Sequence, residues 1–203
     1  CGGSVRAACG RRNLEEIITD IPGIYEKLKE YLKDFIPEEA DKLSFYEDKL
    51  LPLHKLYRLQ HALDEVQQEK IWLKSGGFLV IQQTEAFVSI DVNSGKYTGK
   101  KKAEETYRKI NLEASEEIAR QIQLRNLSGI ILIDFINMDD PDMMQELLKQ
   151  FRRFLGEDPI QTSVVDVTAL QLVEVTRKKV RRPLHECVRD KAEKSPERSE
   201  HVE

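Results

Sequence analysis

The chain has 203 residues, of which 40% are hydrophobic and 33% charged, with a formal net charge of -4. That suits one domain, or one domain with an appendage, able to bury a core. No apolar run approaches the roughly 20 residues that span a bilayer, and the net charge does not mark a nucleic-acid binder, so any such role must rest on local charge. The cysteines are Cys1, Cys9 and Cys187. An odd number with no C-x-x-C spacing argues against a disulfide framework and a structural zinc site, and a reducing, cytoplasmic setting is expected. Cys1-Gly2-Gly3-Ser4 carries no apolar stretch behind a basic start, so no secretory leader is expected. The absence of an initiating Met reads as a fragment or a processed product.

Residues 1–12 are Gly- and Arg-rich, without periodicity, and read as a poorly ordered or remnant segment. Asp20 is placed to cap a helix with Pro22 in its first turn, and Ile24, Leu28, Tyr31, Leu32 and Phe35 recur at helical spacing until Pro37 ends it. Residues 43–46 fit a short strand. A second helix is predicted over about 54–72, with Leu56, Leu59, Leu63 and Val66 on one face. Lys74-Ser75-Gly76-Gly77 marks a turn. Phe78 to Ile81 and Ala86 to Val92 read as the strands of a hairpin, broken by Asn93-Ser94-Gly95. A long helix is predicted from about Ala103 to Leu124, with Ala103, Tyr107, Ile110, Ala114, Ile118 and Ile122 on one face. Asn126 and Gly129 punctuate its end. Ile130 to Ile136 is a nearly continuous apolar run, as in a central strand buried on both faces. Asp140-Pro141 opens a helix to about Leu155, and strands follow near 161–167 and 170–175. This alternation predicts an α/β fold with a layered mixed sheet and flanking helices over 13–184, and a charged, disordered tail over 185–203.

Two acids stand out. Asp91, in Ser89-Ile90-Asp91-Val92-Asn93-Ser94, ends one hydrophobic strand. Asp134, in Ile131-Leu132-Ile133-Asp134-Phe135-Ile136, interrupts another. The intervening helix is long enough for a crossover, and if the strands are neighbours both acids emerge at the sheet end where ligands gather. A lone buried carboxylate there would carry a large desolvation cost, and two would repel. A divalent cation resolves both, and magnesium suits two carboxylates because it keeps several waters. Asn93 lies on the same face as Asp91 and can orient its carboxylate. Asp91-Val92-Asn93-Ser94 also fits a strand-ending Asx turn.

Several motifs in order give a resemblance. Ser75-Gly76-Gly77, Thr84-Glu85-Ala86 and Ile90 to Ser94 resemble the central signature of the ribonuclease E/G family. Asn111-Leu112-Glu113-Ala114, with Glu117 to Gln121, resembles the same signature. Gly129 to Met138 is similar to the second signature, and Leu172 to Arg177 to the later strand motif. The likeness runs from about 15 to 184 and is densest over 75–138. The resemblance implies a DNase I-like catalytic subdomain in which Asp91 and Asp134 chelate magnesium, with manganese as a substitute, and Asn93 supports Asp91. It implies endonucleolytic cleavage of single-stranded RNA, with metal-activated water leaving a 5′-phosphate and a 3′-hydroxyl. The alternatives are an RNA-binding module without turnover and a non-catalytic scaffold. The family's S1 domain is not in this sequence. Val5-Arg6-Ala7-Ala8 resembles the stretch beside the family's 5′-monophosphate pocket, with Arg6 at its arginine and Ala7 in place of its threonine. The family's C-P-x-C zinc link is reduced to Cys187 in His185-Glu186-Cys187-Val188, so no zinc is expected and any homodimer would form without it.

Lys96, Lys100, Lys101 and Lys102 follow the first acid signature and either meet the RNA backbone or form a solvated loop. Arg177, Lys178, Lys179, Arg181 and Arg182 either bind phosphates or form a basic tail. Tyr97 fits either base stacking or packing. His54, His61, His185 and His201 show no ligand spacing.

Overall fold

The computed structural model describes residues 14–95 and 103–188. Arg6, Lys96, Tyr97, Lys100, Lys101, Lys102, His201 and most of the expected tail lie outside these residues. The chain divides into two compact units between Asp64 and Glu65, within the span 13–184 that the sequence suggested as one domain.

In the first unit, β1 (Ile17–Thr19) pairs in parallel with β2 (Leu43–Phe45). Helix α1 (Pro22–Phe35) lies between them in sequence and buries Leu28 and Leu32, the heart of the predicted apolar stripe. Its N-cap is Ile21 rather than Asp20, and Pro22 takes the first helical position, where a missing N–H costs nothing. Pro37 stops α1 as predicted and opens a 3-10 turn, Pro37–Lys42. The helix expected over 54–72 does not form as one piece. Instead, α2 (Leu53–Leu56) and α3 (Leu59–Gln67) flank Arg58, whose φ of 47° breaks the helical path, and neither buries a residue.

The second unit holds a six-stranded sheet in the order β3-β4-β5-β6-β8-β7. Its strands are β3 (Lys70–Trp72), β4 (Phe78–Gln83), β5 (Val88–Asn93), β6 (Gly129–Asp134), β7 (Thr162–Val167) and β8 (Val173–Arg177). Only β5 and β6 run parallel, joined by α4 (Ala103–Leu124); the other pairings are antiparallel. Helix α5 (Pro141–Leu155) follows β6, and Asp140 caps it by accepting the Asp142 N–H at 2.8 Å.

One hydrophobic core lies on a single face of this sheet. Leu79, Ile81, Ile90, Val92, Ile131, Ile133, Val173 and Val175 meet Ile110, Ala114, Ile118 and Ile122 of α4 and Leu147, Phe151 and Leu155 of α5. The fold is therefore two-layered, α/β, with a mixed sheet. The expectation that β6 is buried on both faces is corrected: Ile130 is 56% exposed, because α4 and α5 cover only one side. Successive strand residues point to opposite faces, so the open face receives every second residue of each strand. Among the described residues no helix is long and apolar enough to cross a membrane.

Candidate active site

The parallel pairing of β5 and β6 sets Asp91 directly opposite Asp134. Val92, Ile133 and Phe135 turn into the core, so both aspartates project from the open face, and both are exposed. That corrects the expectation of buried carboxylates; crowding between like charges on neighbouring strands persists. The Asp134 carboxyl is pushed above its ordinary range, first by partial loss of hydration against the sheet and then by the charge of Asp91. Asn93 donates from Nδ2 to Oδ2 of Asp91 at 2.7 Å, which fixes the rotation of that carboxylate.

Residues behind this face hold the backbone on either side of the acids. Asn111, fully buried in α4, donates to the Ile136 carbonyl at 2.7 Å and accepts the Ile136 N–H at 3.0 Å. It thus pins the chain just past Asp134. Glu113 accepts the backbone N–H groups of Lys74 and Ser75 at 2.6 and 3.0 Å, which anchors the turn before β4. Burial alone would raise the Glu113 carboxyl, but hydrogen bonds from Ser75 and Lys74 outweigh it and hold the group below its ordinary range. That turn packs on the segment leaving β5. A Cβ on Gly77 would lie 2.8 Å from the Asn93 carbonyl oxygen, and one on Gly95 would lie 2.5 Å from the Gly76 carbonyl oxygen. Gly76 and Gly95 also have φ of 91° and 69°, where a side chain is strained. At the same end, Arg108 of α4 forms a two-pronged pair with Glu146 of α5, both contacts at 2.6 Å.

An oxygen-only pair of carboxylates suits a hard divalent cation that retains most of its water. Among the described residues no cluster of three or more His, Cys, Asp or Glu side chains is placed to hold a metal.

The sequence profile of the ribonuclease E/G family matches residues 4–180. The chain belongs to the ribonuclease E/G family. Ribonuclease G of Escherichia coli (strain K12) is 40% identical over 168 residues, covering 83% of this chain and 34% of that protein. Ribonuclease G of Haemophilus influenzae is 39% identical over 178 residues, covering 88% and 36%. Ribonuclease E of the same organism is 35% identical over 170 residues, covering 84% and 18%. The chain spans about a third of the length of these ribonuclease G relatives.

Within this ribonuclease E/G core the predicted basic contacts separate. Arg177, expected to meet RNA, is a buried structural residue instead, 3% exposed. Its Nε donates to Asp158 at 2.7 Å, and its Nη1 donates to the Asn126 side chain and the Leu127 carbonyl, each at 2.9 Å. Arg177 pairs with Gly129, at the opposite end of β6 from Asp134, about 17 Å away at ~3.3 Å per strand residue. Lys178 and Lys179 are exposed at that far end, so the structure does not bring them to the acid pair. Arg182 pairs with Glu186 at 3.1 Å.

The family motif contained Asn111 and Glu113 without giving them a task, while Gly76-Gly77 read as a turn and Gly95 as a strand break. Asn111 was open to discovery as an amide on the buried side of an amphipathic helix. The tasks of Gly77 and Gly95 depend on long-range packing and carry no local signal.

Proposed function

We propose that this chain is the catalytic core of a magnesium-dependent endoribonuclease acting on single-stranded RNA. The observation that carries the reading is the direct cross-strand pairing of Asp91 with Asp134 on an open sheet face. Family membership points the same way, since its matched relatives are ribonucleases by name.

Asp91 and Asp134 would hold the ion, with Asn93 fixing the Asp91 carboxylate through its 2.7 Å hydrogen bond. A bound magnesium supplies activation of water and neutralisation of charge at the reacting phosphate, and manganese would substitute. The protein's part is positional. Asn111 keeps the chain beyond Asp134 in place, and the turn at Gly76-Gly77 does the same for the segment beyond Asp91. The open face leaves room for an extended strand of RNA across both acids. Hydrolysis with water attacking phosphorus in line leaves a 5′-phosphate and a 3′-hydroxyl. Lys96, Lys100, Lys101 and Lys102, which follow Asp91 in sequence, are proposed backbone contacts, and Arg6 a contact at the RNA 5′ end. The expected setting is the cytoplasm.

The test is cleavage of a 5′-labelled, unstructured RNA. Cleavage with magnesium that disappears with EDTA, and in Asp91→Asn and Asp134→Asn, is the expected result. Binding that persists without any cleavage would replace this reading with an RNA-binding module.

A further inference from the structure

Trp72 is the only tryptophan of the chain. It sits on β3 at the edge of the sheet and is 64% exposed. Edge strands usually present charge to solvent, and a large ring left in water forgoes the stabilisation that burial gives. Here the ring is part of a built arrangement. Trp72 pairs directly with Phe78, so both rings share one face, their centroids 5.2 Å apart and tilted by 58°. Lys70, two residues back on the same face, holds its ammonium 4.3 Å from the Trp72 ring centre and 3.7 Å from that of Phe78.

The register fixes which face this is. Trp72 pairs with Phe78, and Phe78 with Asn93. Lys70 pairs with Val80, Val80 with Asp91, and Asp91 with Asp134. The two rows are adjacent and lie on the open face. Trp72 and Lys70 therefore stand two strands from the Asn93–Asp91 side, about 10 Å at ~4.8 Å per strand. A strand of RNA whose phosphate lies at the acid pair would bring a neighbouring nucleotide over the rings.

We propose that Trp72 and Phe78, with Lys70 between them, form a stacking platform for an unpaired base of the RNA strand, Lys70 meeting its phosphate. This rests on the reading of Asp91 and Asp134 as the RNA-cleaving site. Aromatic faces accept any base and a cation adds backbone attraction, so the platform favours single strands over duplexes without choosing sequence. It binds substrate and takes no part in the chemistry.

The lone tryptophan makes the platform directly observable. The full chain is titrated in EDTA, where no cleavage occurs, with a short unstructured oligoribonucleotide, a duplex of equal length and inorganic phosphate. The single strand is expected to quench Trp72 fluorescence, and the duplex and phosphate to leave it unchanged. Trp72→Ala should weaken single-strand affinity, read by anisotropy of labelled RNA, about tenfold or more. It should raise KM with kcat little altered, while Trp72→Phe recovers most of the loss. Absence of quenching at any RNA concentration, or unchanged affinity in a folded Trp72→Ala protein, overturns the platform even if magnesium-dependent cleavage stands. Quenching that persists where no variant or wild-type protein cleaves RNA would retain the platform and remove the nuclease reading. Equal quenching by the duplex would overturn the preference for unpaired bases.

Discussion

Replacing Asp158 with alanine tests the structural role assigned to Arg177. The two side chains are 2% and 3% exposed, and the contact is 2.7 Å. Asp158 also accepts the Ile160 N–H at 2.9 Å and the Thr162 hydroxyl at 3.2 Å. The guanidinium cannot shed its proton, so without Asp158 it remains a buried charge that, among the described residues, is held by Asn126 and the Leu127 carbonyl. Breaking a buried pair by removing one partner costs about 3–5 kcal/mol. Against a typical total of ~5–15 kcal/mol, that is a large fraction of the stability of this unit. At ~2–4 °C per kcal/mol for a chain of this size, the midpoint should fall by about 6–20 °C. Urea unfolding followed by Trp72 fluorescence reports on the unit that contains the pair. The double variant Asp158→Leu with Arg177→Met should be less damaging than Asp158→Ala, because no unpaired charge is left behind. A folded Arg177→Ala protein with stability within ~0.5 kcal/mol of wild type and weakened RNA binding would refute the reasoning and return Arg177 to the RNA surface.

Three further outcomes are expected. Gly77→Ala places a methyl 2.8 Å from both the Asn93 oxygen and Ile110 Cγ2, and should cost about 1–3 kcal/mol in unfolding while lowering the RNA cleavage rate. Asn111→Leu removes both bonds to Ile136 at a fully buried position, and should cost about 1–3 kcal/mol for each backbone group left unpaired, with a fall in cleavage that a melting curve and a rate assay read separately. Because the folded Glu113 carboxyl sits below its ordinary 4.5, its contribution is present above that pH and is lost as the pH falls through the folded value; the stability gap between wild type and Glu113→Gln should be widest near neutrality and close in acid.

The long helix was legible in outline, since an amphipathic stripe over about Ala103–Leu124 with Asn126 and Gly129 behind it allows little else. Asp140-Pro141 marked α5 because both its cap and its first-turn proline are local signals. The hairpin and the acid-bearing strands were readable from alternation and apolar runs. Lys70–Trp72 was not: its apolar spacing continues that of the preceding helix, and only pairing of Ile71 with Leu79 makes it a strand. The three-residue β1 was too short to carry a period, and it exists by pairing with β2. Arg177 looked like the start of a basic cluster because charge along the chain says nothing of Asp158, which reaches it from across the loop before β7. At the candidate site the acids and Asn93 could be named from sequence. That Asp91 faces Asp134 on an exposed side, in one row with Lys70, required the register.

The central claim is that Asp91 and Asp134 share one divalent cation. Manganese binding to the full chain, followed by electron paramagnetic resonance of the free ion, tests it without RNA or turnover. A single site is expected, displaced by magnesium, lost in Asp91→Asn and in Asp134→Asn, and weakened about ten- to a hundredfold in Asn93→Ala. Manganese affinity unchanged in both aspartate variants would contradict the account.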